Sequence, residues 1–279
     1  SMPLTHEDFM KLANGSDIRG VAVPGVPGEP VTLTPEAANR IAAGFVRLLA
    51  EKTGKKPEEL QIAVGHDSRI SALAIKDCVL TGLTYRGAHG IDCVLASTHA
   101  MFMSTIFEDT AADGSIMITA SHLPYNRNGM KFFTEKGGLE ASDIKTVLSY
   151  AAKTPVLEKG EKEATAFDLI SLYASHLQKK IREGLSASPE AKPLSGMRIA
   201  VDAGNGSGGF FASKVLAPLG ADITGSRYLD PDGMFTNHIP NPENKQAMAA
   251  IKEAVLENHA DLGLIFDTDV DRMSAVLPT

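Results

Sequence analysis

Two short stretches carry the residue types that do chemistry. The first is Ser115 to Lys131, SIMITASHLPYNRNGMK. Ser115 to Thr119 is an apolar, β-branched run that reads as a buried strand. It opens into Ala120, Ser121 and His122, then Pro124 and Asn126 to Gly129, turn-forming residues that must leave the strand and expose its tip. A serine hydroxyl at a strand end, with a histidine beside it and Lys131 ten residues on, can carry an acyl or a phosphoryl group. An ordinary surface loop has a similar composition. The second stretch is Asp267-Thr268-Asp269-Val270-Asp271-Arg272. Its three acids alternate after the apolar run Leu262 to Phe266, and a strand opening into a loop can turn alternate residues toward one point. Three hard anionic oxygens at one point suit Mg2+, and they repel one another without it. Magnesium held by carboxylates with open positions takes a phosphate oxygen, and an exposed serine supplies one once phosphorylated.

The elements that must position these stretches follow a βαβ rhythm. Asn14 to Gly20 is turn-rich and leads into Val21 to Val23, and Arg19 within it can hold a phosphate bidentately or be a solvated arginine. Thr34 caps a helix with Pro35 in its first turn, and Ile41, Phe45, Leu48 and Leu49 share its apolar face up to Gly54. Gln61 to Val64 reads as a strand with the polar loop Gly65 to Arg69 at its C-terminal end, where open α/β sheets place ligands. Helices over about 71–85 and 99–107 alternate with strands at Ile91 to Leu95 and Ser115. A short strand at Met130 to Phe133 and a helix over 142–152 follow. That order predicts an α/β fold with a mixed, mostly parallel sheet covered on both faces. The charged, aperiodic stretch 153–164 sets the expected boundary between domains 1–158 and 159–279. A helix over 166–183, a strand at Arg198 to Val201 and a further strand at Ile223 to Tyr228 begin the second α/β/α unit.

Bulk properties narrow the partners. The 279 residues carry 27 basic and 34 acidic side chains, a net charge of -7, which argues against a nucleic-acid backbone as partner. Small anionic substrates stay open, since a local cation cluster can outweigh the global sign. Cys78 and Cys93 are the two cysteines and read as core filler in a reducing, cytoplasmic setting. No apolar run approaches the roughly 20 residues that span a bilayer. Ser1 and Met2 read as a cloning remnant, with no charged-then-apolar leader behind them.

Two motifs point elsewhere. Gly204, Gly206 and Gly209 after the strand at Arg198 match GxGxxG, with Asp222 near the distance of a ribose-binding acid. The alternative function is therefore an NAD(P)-dependent oxidoreductase using the Gly204 to Gly209 loop. Glycines also let any strand turn tightly onto its helix, and Asp222 falls at the start of its strand rather than the end. The run LGLIFDTDV resembles the aspartyl-phosphate motif of phosphatases. Only twelve residues follow Asp267, too few for the rest of that machinery.

Five pieces in order resemble the α-D-phosphohexomutases, the phosphoglucomutase and phosphomannomutase superfamily. They are SDIRG, VGHDSR, TASHLPYNRNGMK, PDGMFTNHIPNPEN and DTDVDR, and they reach across nearly the whole chain. The resemblance implies that Ser121 is a phosphoserine and that Asp267, Asp269 and Asp271 bind Mg2+ together with a phosphoserine oxygen. It implies that Lys131, helped by His122, is the general acid/base, and that Arg19, Arg69 and Arg272 neutralise phosphate. The reaction it implies interconverts hexose 1-phosphate and hexose 6-phosphate through hexose 1,6-bisphosphate, so the partner is a small phosphosugar. Leu123 stands where the family usually has asparagine, Thr268 and Val270 replace small residues, and Ser97-Thr98-His99 replaces a common Thr-Pro. His238 in PDGMFTNHIPNPEN reads as shaping the second domain. Family members have four domains, so the resemblance implies the first two, with domains III and IV absent and the chain inactive alone.

Overall fold

The computed structural model describes residues 3–155, 160 and 163–279. It divides into two compact units. The first is built from residues up to His66, Ile70–Val94 and Ala100–Phe167, and the second from Asp67–Arg69, Leu95–His99 and Asp168–Thr279. The expected boundary at 158/159 lies outside the described residues.

In chain order up to residue 167 the elements are α1 (His6–Met10), β1 (Ala13–Asn14), β2 (Asp17–Val21), α2 (Pro35–Thr53), β3 (Gln61–His66), α3 (Ala72–Tyr85), β4 (His89–Leu95), α4 (Thr98–Met103), β5 (Gly114–Ile118), β6 (Arg127–Thr134), β7 (Gly137–Gly138), α5 (Ala141–Ala152) and β8 (Thr165–Ala166). The sheet runs β1-β2-β6-β5-β3-β4-β8, with β7 on β6. The inner pair β3 and β5 is parallel, as is β4 with β8, while β6 runs antiparallel to both β5 and β2.

Local chemistry explains the chief helix. The Thr34 hydroxyl accepts from the Ala37 amide at 3.1 Å, Pro35 opens the first turn, and Gly54 ends α2 at φ 72°. Its buried face carries Ile41, Phe45 and Leu49, and Phe45 meets Phe132 of β6 with ring centroids 4.8 Å apart. Burial of such side chains, worth about 1.5–3 kcal/mol each, holds the sheet against α2. Cys93 is buried and its thiol is pushed up to about 12 by that burial, while Cys78 packs against the same core.

Two expectations fail here. Asn126 to Gly129 were read as turn, yet β6 starts at Arg127, so only residues up to Asn126 leave the sheet. Pairing of Arg127 to Gly129 with β2 overrides the local turn preference. The helix expected from Ala166 starts at Leu169, capped by Asp168, because Thr165 and Ala166 pair with β4.

The second unit contains α6 (Leu169–Gly184), β9 (Ile199–Asp202), a six-residue π-helical stretch (Phe211–Leu216), α7 (Lys245–Glu257), β10 (Leu262–Phe266) and β11 (Met273–Val276). The sheet order is β11-β10-β9, with β10 parallel to β9 and antiparallel to β11. Side chains alternate across it. Val201, Leu264 and Phe266 pack with Ala212 and Leu216 on one face, and Ala200 and Ile265 with Ile251 and Val255 of α7 on the other. Both units are therefore α/β with mixed, largely parallel sheets.

The strand expected at Ile223 to Tyr228 is reduced to two isolated bridges, Arg198 with Asp222 and Asp202 with Arg227. The Asp222 carboxylate accepts from the Thr224 amide at 2.9 Å and from its hydroxyl at 2.6 Å, and Gly225 and Tyr228 adopt φ of 91° and 53°. These turns break the extended run. Among the described residues no helix is long and apolar enough to cross a membrane.

Candidate active site

Each unit carries one of the two chemical stretches. In the first unit, β5 is buried at all five positions and delivers Ser121 to the loop between β5 and β6. Ser121 is 7% exposed and sits at φ 50°, in the left-handed region that a non-glycine residue adopts at a cost of about 1–3 kcal/mol. Its amide donates to Thr119 Oγ1 at 2.9 Å, which holds the turn in place. Arg19 of β2 reaches it, donating to Ser121 Oγ at 3.4 Å and to the Thr119 carbonyl at 3.2 Å, while Asp17 steadies the guanidinium at 3.3 Å.

That reach depends on Gly129. Arg19 lies opposite Gly129 in the β2–β6 register, and a Cβ there would stand 2.1 Å from the Ile18 carbonyl and 2.8 Å from Arg19 Cδ. Lys131, two residues along β6 and opposite Met117, projects to the same face as Gly129. His122 is half-buried beside Ser121. The structure thus brings Ser121 and Arg19 together, with His122 adjacent and Lys131 on the same side of the sheet as Arg19.

In the second unit, β10 ends at Phe266, and the next three residues, Asp267, Thr268 and Asp269, are each fully buried. Asp267 Oδ1 accepts from the amides of Asp271 and Arg272 at 2.8 and 3.0 Å, which closes the loop on itself. Its Oδ2 is buried with no hydrogen bond among the described residues. Burial, and the Asp269 carboxylate beside it, push Asp267 up to about 8. Asp269 is held by Thr98, whose hydroxyl donates to Asp269 Oδ2 and whose amide donates to the Asp269 carbonyl at 2.9 Å. Val270 turns the loop at φ 59°, and Asp271 is exposed. Among the described residues no group of three or more His, Cys, Asp or Glu stands ready to hold a metal ion. The donor set nonetheless fits a hard divalent cation. Two buried carboxylates side by side, one with an oxygen lacking any donor, are relieved by positive charge.

The three arginines are placed differently. Arg19 is largely buried and points at Ser121. Arg272 is half-exposed and lies 3.7 Å from Glu243. Arg69 is wholly buried in the second unit, 3.4 Å from Asp67 and over the Phe235 ring at 5.5 Å from its centroid.

The glycine loop is filled by the chain itself. A Cβ on Gly206 would stand 2.7–2.8 Å from the Thr268 backbone, one on Gly209 would stand 2.3 Å from the Leu229 carbonyl, and the Ser207 amide donates to the Thr268 carbonyl at 2.8 Å. Asp222 pairs with Arg198 at 2.9 Å. These glycines bring β9 against the acid loop, and nothing supports a nucleotide there. The sequence shows Thr98 only as a departure from the family's common Thr-Pro and not as a partner of Asp269, because a threonine at a helix start is ordinary and that partner is 171 residues away.

Comparison with known proteins places the chain in a family. The family model "Phosphoglucomutase/phosphomannomutase, alpha/beta/alpha domain I" matches residues 10–144, and the model for domain II matches residues 171–279. A phosphoglucomutase of Neisseria meningitidis serogroup B is 31% identical over 261 residues, covering 93% of this chain and 51% of its own. A phosphoglucosamine mutase of Nautilia profundicola is 33% identical over 274 residues, covering 96% and 56%. The chain spans about half the length of the curated relatives it matches. The crystal structure of a phosphoglucomutase/phosphomannomutase family protein from Burkholderia thailandensis superposes with a TM-score of 0.79 at 22% identity, covering 99% of this chain and 56% of that one, a likeness of fold. With both domain models matched in order across the two units, the chain belongs to the phosphoglucomutase/phosphomannomutase family.

Proposed function

We propose that this chain carries the phosphoryl-transfer half of a phosphohexomutase, which interconverts hexose 1-phosphate and hexose 6-phosphate. The observation that carries the reading is Ser121, a strained left-handed serine at the end of a buried strand with a guanidinium on its hydroxyl. Backbone strain of this kind gathers where a side chain must be presented for reaction.

In this reading Ser121 carries a phosphoryl group. The sugar hydroxyl attacks phosphorus, the bond to Ser121 Oγ breaks, and Lys131, with His122 beside it, takes the hydroxyl proton. The hexose 1,6-bisphosphate so formed turns over and returns its other phosphoryl group to Ser121. Arg19 and Arg272 orient the phosphates, and buried Arg69 adds positive field without direct contact. Catalysis is chiefly positioning and charge neutralisation. Asp267, Asp269 and Asp271, with an oxygen of the phosphorylated Ser121, would hold Mg2+, which when bound draws charge off the transferring group. The partner is a small phosphosugar, and the setting is cytoplasmic.

The test uses the chain itself. Incubation with glucose 1,6-bisphosphate is expected to add one phosphoryl group to the intact-protein mass, and Ser121→Ala is expected to abolish the gain. In an enzyme of the relatives' full length carrying this chain, Ser121→Ala removes turnover. Unchanged labelling or turnover in that variant would sink the reading. The 279-residue chain alone is expected to bind Mg2+ and to turn over hexose phosphate slowly or not at all.

A further inference from the structure

The acid loop is gripped at two successive residues by segments remote in sequence. The Thr268 carbonyl accepts from the Ser207 amide at 2.8 Å. Asp269 is taken at both ends by one residue: its carbonyl by the Thr98 amide at 2.9 Å and its carboxylate by the Thr98 hydroxyl. Thr98 and Asp269 are buried, at 6% and 0% exposure. A buried carboxylate has several rotamers and strong reason to leave an apolar wall. A single hydrogen bond to its tip leaves the backbone free to follow, and a bond to the backbone alone leaves the tip free. Two bonds from one rigid residue fix both.

We propose that Thr98 is a positioning residue for the acid loop. By committing one Asp269 oxygen to its hydroxyl, it sets the direction in which the other presents itself to a divalent cation. The inference rests on reading Asp269 as a metal ligand. Its chemical demand is narrow. The residue at 98 must own a backbone N–H and a short hydroxyl, which only serine and threonine combine. Substituting the hydroxyl leaves Asp269 Oδ2 buried without that donor, and loss of such an outer partner typically lowers metal affinity 10–100-fold. The glycine loop acquires a role as well. Gly206 allows the chain close enough for the Ser207 amide to hold Thr268, so the GxGxxG-like run serves as a platform for the metal loop.

Mn2+ is the probe, its binding to the 279-residue chain followed by electron paramagnetic resonance with Mg2+ in competition. Thr98→Val keeps shape and amide while losing the hydroxyl, and is expected to weaken Mn2+ binding about 10-fold or more. Thr98→Ser is expected to restore wild-type binding within about threefold. A role confined to holding the fold would change melting temperature but leave the affinity of folded protein unmoved. Amide exchange at residues 268–271 in metal-free protein gives a second readout, faster in Thr98→Val and restored in Thr98→Ser. Wild-type affinity in a folded Thr98→Val variant overturns the proposal. If the wild-type chain binds no Mn2+, the metal reading fails and the exchange data decide the clamp. Faster exchange in Thr98→Val then supports it, and unchanged exchange overturns it. Thr98→Ala carries the same tests should Thr98→Val not fold.

Discussion

His238 has both ring nitrogens engaged by acceptors, Nε2 2.7 Å from Asp202 Oδ2 and Nδ1 2.9 Å from the Ile239 carbonyl. Two acceptors call for two donors, an arrangement that favours the doubly protonated ring. Desolvation opposes that charge, but the hydrogen bond and attraction to Asp202 outweigh it, and the value is raised above the ordinary 6.5. A raised histidine value means the folded state holds its proton more tightly than the unfolded chain. The stabilisation is complete below about 6.5 and drains away as pH climbs through the folded value. Urea unfolding from pH 6 to 9 is expected to show falling stability in the wild type and a flatter profile in His238→Gln. Residues of this kind divide by how they announce themselves. The placing of Ser121 and the aspartates just after strands was legible because reactive types follow apolar runs in the sequence. Arg69 was legible as an arginine beside a loop, but its complete burial against Asp67 and Phe235 was not, since nothing local encodes which neighbours will close over it.

At the scale of elements, glycine positions decide how near two backbones come. Gly206→Ala would force a Cβ to within 2.7–2.8 Å of the Thr268 backbone, where no flexible atom can yield. Overpacking of this type costs about 1–3 kcal/mol, so a fall of several degrees in melting temperature and a loss of Mn2+ affinity together are the expected result. A change in neither would mean the glycine loop does not support the acid loop. The helices and parallel strands were legible because period, caps and turn residues agree, as at Thr34, Pro35 and Gly54 of α2. The elements that eluded sequence reading owe their state to distant partners or to a competing local bond. β6 begins at Arg127 because β2 pairs with it there, and Ile223 to Tyr228 fails as a strand because Asp222 folds back onto Thr224.

For the whole molecule, on the proposed metal reading, the buried pair Asp267 and Asp269 makes stability depend on divalent cations. A ligand at 100 times its dissociation constant adds about 2.7 kcal/mol, and each kcal/mol moves the melting temperature of a chain this size by roughly 2–4 °C. Differential scanning fluorimetry is therefore expected to show Mg2+ raising the transition of the second unit by several degrees. The double variant Asp267→Asn/Asp269→Asn should show no such rise, and a persistent rise would place the ion elsewhere. Beside that loop lies β11, paired on one side to β10 and, among the described residues, to no strand on the other. Met273 is half-exposed, at 54%. An open row of amides and carbonyls next to apolar side chains is a template onto which another polypeptide can crystallise strand by strand. Concentrated solutions of this chain will therefore tend to scatter light through edge-to-edge growth, and a lysine in place of Ala275 should keep them clear.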